Sequence, residues 1–158
     1  MAADKLHSSR GFPTIAARTQ EQQVGDMAKC DPVQHWLDSA KADLRVARTV
    51  FKGGHWRFTV FVCHLTVEKS IKAAVQKKTG MLPPKIHDLG ALLIKSGCQL
   101  PPDLEKFVRK LAGLSIPTRY PDDLDAVKVQ YTGASANLYL QMTSKVYRWF
   151  SRAVRSLE

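Results

Sequence analysis

A chain of 158 residues with 44% apolar and 24% charged residues is long enough for one folded domain with a full core. Twenty-four Lys and Arg against fourteen Asp and Glu give a formal charge of +10, a field that attracts polyanions, although excess Lys also serves plain solubility. Three cysteines at unrelated spacings, Cys30, Cys63 and Cys98, fit neither a zinc site nor a disulfide framework, and no segment approaches the ~20 apolar residues of a membrane span.

Residues 1–30 mix Ser, Thr, Gln, Gly and Arg without a sustained period and read as a flexible leader, with Met27 an alternative start. They contain no apolar run of the secretory type, and with the cysteine usage this predicts a cytoplasmic protein. Acid and base balance within residues 1–31, so the whole positive excess falls on residues 32–158.

The folded part is expected over residues 31–158. Asp31-Pro32 is a helix start, an N-cap oxygen followed by proline at the first helical position. Leu37, Ala40, Leu44, Ala47 and Phe51 then recur at helical spacing until Gly53-Gly54 stops the run. A second helix is predicted from His55 to Thr79, closed by Gly80. Its apolar residues, from Phe58 to Val75, cover most of its surface, which marks a central, buried element. Asp88 caps a short helix over Leu89 to Lys95, ended by Gly97. Pro101-Pro102-Asp103 opens a fourth with Leu104, Phe107, Val108 and Leu111 on one face. Ile116 to Pro121 is predicted as a loop because two prolines remove donors. The stretch from about Asp123 to Leu157 reads as helix, with Gly133 a candidate break and Leu138, Met142, Val146, Trp149, Phe150 and Val154 as its inner face. The expected fold is all-α, an up-and-down bundle of four to five helices.

Three clusters could carry chemistry. His64, Glu68 and Lys72 stand at i, i+4 and i+8, a polar ladder along one face of the buried helix, with Lys69 beside it. Read structurally, this is a Glu68–Lys72 ion pair with a hydrogen-bonded His64. Read functionally, it is a groove in which buried charges await a ligand. Lys85, His87 and Asp88 form a second cluster, explained most simply by Asp88 capping the next helix. In the third, Arg119, Tyr120 and Asp122 sit in a proline-stiffened loop, where an Arg beside a ring could grip a phosphate. Composition does not separate that from a turn contact between Arg119 and Asp122 with Tyr120 in the core. There is no glycine-rich phosphate loop, no zinc motif and no plausible Ser–His–Asp set, so nothing points to a hydrolase or a metal enzyme.

The runs Trp36-Leu37-x-x-Ala40-x-x-Asp43-Leu44, Phe61-x-Cys63-His64-x-x-Val67-Glu68-Lys69-x-x-Lys72-Ala73, Thr79-Gly80-x-x-Pro83-Pro84-Lys85-x-His87-Asp88-Leu89 and Arg119-Tyr120-Pro121-Asp122 occur in one order. In that order the chain resembles the HEPN family (higher eukaryotes and prokaryotes nucleotide-binding) over about residues 32–155. The resemblance implies a helical bundle, commonly a homodimer, paired with a minimal nucleotidyltransferase or working in a toxin–antitoxin system. It implies a nucleotide as possible ligand, with no resident cofactor and no metal. His64, Glu68, Lys69, Lys72, Arg119 and Tyr120 are then the ligand-binding candidates, with Lys85, His87, Asp88 and Asp122 as secondary ones. Some branches are ribonucleases that use an Arg, four to six residues, then a His on a late helix. This chain has no His after His87 and departs from that pattern. Leu65 also stands where relatives often have Gln. The resemblance therefore favours a non-catalytic module. Its alternatives are a degenerate ribonuclease toxin, using His64 with Arg119 or a composite site with His87, and an interaction module that binds no ligand.

Overall fold

The computed structural model describes residues 31–114, 118 and 131–156. It is built from five helices: α1 (Pro32–Lys52), α2 (Trp56–Thr79), α3 (Leu89–Ser96), α4 (Pro102–Ala112) and α5 (Gly133–Ser156). The described residues contain no strand.

Local chemistry sets the helix ends. The Asp31 carboxylate accepts from the Val33 amide at 2.9 Å, and Pro32 follows at the position where its missing N–H is no loss. Asp88 accepts from Gly90 and Ala91 at 2.8 and 3.1 Å and so starts α3. Thr132 and Ser135 exchange backbone-to-side-chain hydrogen bonds of 3.0 and 3.2 Å at the start of α5, the reciprocal arrangement of a capping box. Gly80 and Gly97 end α2 and α3 in the left-handed region, at φ 66° and 65°, where a Cβ would be strained.

α2 lies at the centre, packed against the other four helices, and from Thr59 to Gln76 nearly all of it is buried. Its hydroxyls are satisfied within the helix. Thr59, Thr66, Ser70 and Thr79 each donate to the carbonyl four residues back, at 2.8 to 3.1 Å, so these polar groups demand nothing of neighbouring elements. α1 folds back beside α2 through the Gly53-Gly54-His55 turn. It buries Leu37, Ala40, Leu44 and Ala47 of the row expected from the sequence, and Phe51, the last of that row, packs half-buried against the core. α4 buries Leu104, Phe107, Val108 and Leu111, also as expected.

The chain bends at Tyr131, and just after it Gly133, the candidate break, is the first residue of α5. A Cβ there would stand 3.3 Å from the Trp56 indole, so the small residue lets α5 start close against α2. The inner face of α5 is turned partly away from the one predicted. Val146, Phe150 and Val154 are buried as expected, but Ala136, Tyr139, Leu140 and Thr143 join them, Met142 and Trp149 are only half-buried, and Leu138 is 56% exposed. Phe58, expected inside, is 47% exposed. The loop predicted over Ile116 to Pro121 lies outside the described residues apart from Thr118, and so does the helical reading of residues 123–130. The Thr118 carbonyl accepts from the Arg57 guanidinium, which ties this turn to the start of α2.

Candidate functional site

The polar ladder of α2 is enclosed. Glu68 is 5% exposed, Lys72 6% and His64 1%, so three ionisable side chains share one face of the most buried helix. Lys72 Nζ donates to Glu68 Oε1 at 2.8 Å, the ion pair that their spacing of four residues allows. His64 Nδ1 stands 4.0 Å from Glu68 Oε2, within Coulombic range of that carboxylate.

The remaining members come from other elements. His87, on the link between α2 and α3, directs Nδ1 at both Glu68 oxygens, 3.0 Å from Oε2 and 3.2 Å from Oε1. A carboxylate only accepts, so Nδ1 carries the proton of this bond. The His87 side chain is itself 62% exposed and is thus the group through which the cluster meets solvent. From α1, the Trp36 ring lies 5.5 Å from Lys72 Nζ, a cation–π contact that shields the ammonium on its far side. Burial drives the Glu68 carboxyl upward, but its hydrogen bonds and charge contacts with Lys72 and His87 outweigh that and hold it below its ordinary value of 4.5.

Lys69 turns away from this cluster and pairs with Asp43 of α1 at 2.7 Å. It fastens α2 to α1 and does not join Glu68. Lys85 is exposed, and Asp88 is occupied as the cap of α3. Arg119, Tyr120 and Asp122 lie outside the described residues. Of the predicted set, His64, Glu68, Lys72 and His87 therefore come together. Trp36 and Asp43 were not among the candidates. Both stand in the first of the four ordered sequence runs, but their place against α2 is set by packing and leaves no periodic signal.

Chemically the cluster is closed. Its carboxylate and ammonium satisfy each other, and four surface grooves among the described residues, about 220 to 530 Å³ in volume, are lined by other residues than His64, Glu68 and Lys72. Cys63, also on α2, is similarly withdrawn: burial pushes its thiol up to about 12, against a weaker opposing hydrogen bond with Thr143. Among the described residues no group of three or more His, Cys, Asp or Glu could hold a metal ion. Among the same residues no helix is long and apolar enough to cross a membrane.

A helical bundle built around one central buried helix is the fold of a known class. The HEPN domain matches residues 33–154, and the chain belongs to the HEPN family. Two solved structures share the fold. ST0689, described as an archaeal HEPN homologue, is 24% identical with a TM-score of 0.64, over 79% of this chain and 99% of its own. TT1696 from Thermus thermophilus is 24% identical with a TM-score of 0.67, over 78% of this chain and 98% of its own. At this identity the likeness speaks for the fold alone. Among curated proteins, no sequence matches this chain.

Proposed function

We propose that this chain is a binding and pairing HEPN module of the cytoplasm that takes a nucleotide at the mouth of the Glu68–Lys72 cluster. It works as a homodimer or with a nucleotidyltransferase partner, as in a toxin–antitoxin pair. The observation that carries the reading is a buried Glu68–Lys72 ion pair covered by one exposed side chain, His87. A group that displaces the imidazole finds a carboxylate ready to accept from a base amino group. Beside it stands an ammonium able to turn toward phosphate or ribose oxygen. Arg119 and Tyr120 would complete the grip, and His64 would hold the inner side of the cluster.

Calorimetry with ATP and GTP tests this. Binding to the wild-type chain is expected, with affinity lowered about tenfold or more in Arg119→Ala and in His87→Ala, each first shown to retain its helical spectrum. Unchanged affinity in both variants would remove the site. Light scattering of the same samples reports the dimer.

A ribonuclease reading is favoured by one feature. A buried carboxylate that orients an exposed imidazole through Nδ1 is the arrangement that prepares a histidine as general base. It points to His87 and away from His64, which is sealed in the core. Metal-independent cutting of labelled RNA that disappears in His87→Ala would establish it. Intact RNA after prolonged incubation would leave the binding module.

A further inference from the structure

α5 carries Lys145, Arg148, Arg152 and Arg155 and no acidic residue at all. Their spacing places them in one stripe down the outer side of the helix, and all four are exposed. On α1, which packs beside α5, Lys41, Arg45 and Arg48 form a matching exposed stripe. Lys41 and Arg48 stand seven positions apart, as do Lys145 and Arg152, about 10 Å of helix.

Two grooves lie along these stripes. One, about 380 Å³, runs between α1 and α5 and is lined by Lys41, Arg45, Arg48, Tyr147 and Arg148. The other, about 330 Å³, lies between the start of α4 and α5, and Lys145, Arg148, Trp149 and Arg152 line it with Asp103 as its one acid. Arg148 lines both, so the two grooves adjoin along α5 and together make a basic track. Its Nε donates to the Ser144 carbonyl at 3.2 Å, which pins the side chain back along the helix. Among the described residues none of these six cations is used in an ion pair, the Lys and Arg pairs being those of Lys69, Lys72 and Arg109. A concentration of uncompensated charge is uphill for the folded chain alone, and a polyanion relieves it.

We propose that the α1–α5 track binds single-stranded nucleic acid. The cations alone would suit any polyanion. The half-buried Tyr147 in the first groove and Trp149 in the second, on either side of Arg148, add the flat surfaces on which unpaired bases stack. A duplex keeps its bases stacked on one another, and an acidic peptide has no use for the rings. The track is separate from the Glu68 cluster, so the fate of either site leaves the other standing.

Fluorescence anisotropy with a labelled fifteen-residue oligouridylate tests the proposal on the full chain. Binding is expected to weaken with salt at a slope of about −4 in log K against log salt, the value for six phosphate contacts on a single strand. Arg148→Glu should lower affinity about tenfold or more and flatten that slope. Lys95→Glu, the same change of charge on the exposed side of α3, should change affinity less than about threefold. Circular dichroism melts of both variants accompany the titrations. A duplex, inorganic polyphosphate and polyglutamate serve as competitors, and each should compete more weakly than unlabelled oligouridylate. The proposal is overturned by absence of binding, by equal loss in Lys95→Glu, or by the duplex, polyphosphate or polyglutamate competing as well as the oligonucleotide. The polyglutamate result would reassign the track to an acidic protein.

Discussion

Replacing Lys72 by methionine should destabilise the chain by about 3–5 kcal/mol in urea denaturation, whereas the double variant Glu68→Leu/Lys72→Met should regain most of that loss. The asymmetry follows from burial. The single change leaves Glu68, 5% exposed, with one of its two close partners gone and little water to replace it. The double change removes the demand along with the supply, and the Trp36 ring can pack on the new methyl group as it does on the ammonium. The two proteins should also differ in acid. The Glu68 carboxyl of the folded chain lies below its ordinary value of 4.5, so between the two values the unfolded chain holds a proton that the folded chain lacks. The stability this carboxylate contributes is therefore complete above that ordinary value and is lost as pH falls through the folded one. Wild type should weaken more steeply with acid than the double variant. Equal acid limbs, or a double variant as unstable as the single one, would show that the pair is not held as described.

The second large effect concerns α5. Phe150 is wholly buried and heads the fully buried side chains by volume, with the Trp149 ring set edge-on to it at 5.0 Å. Phe150→Ala should cost about 3–5 kcal/mol, the loss of transfer free energy plus the cavity left behind. Leu138→Ala, on the same helix, should cost less than about 1 kcal/mol because that side chain is more than half in water. Comparable losses at the two positions would mean that the helix is turned the other way.

That comparison also marks where the sequence stops being informative. The bundle was legible because its signals are local: Asp31-Pro32 and Asp88 as caps, Gly80 and Gly97 as left-handed ends, apolar rows on α1 and α4, and apolar cover all round α2. The rotation of α5 was not, because Leu138, Tyr139 and Leu140 are adjacent and all apolar. Spacing alone admits more than one inner row, and only the neighbouring helices decide. The site divides in the same way. The ladder of His64, Glu68 and Lys72 follows from a step of four residues on one helix. The contacts of Trp36 with Lys72, Asp43 with Lys69 and His87 with Glu68 bridge 36, 26 and 19 positions and exist only once the bundle closes. His87 itself was named among the candidates, but nothing in its local sequence says which carboxylate it meets.

The hydrogen bond from His87 to Glu68 gives the connector between α2 and α3 a thermodynamic character unlike that of an ordinary surface link. Lifting residues 81–88 away from α2 would admit water to a carboxylate and an ammonium that are otherwise dry, so detachment of the strap is coupled to hydration of the interior. Amide exchange at the start of α3 should accordingly be slow in the native chain and quicken when His87 is replaced, although α3 has only eight residues with which to protect itself.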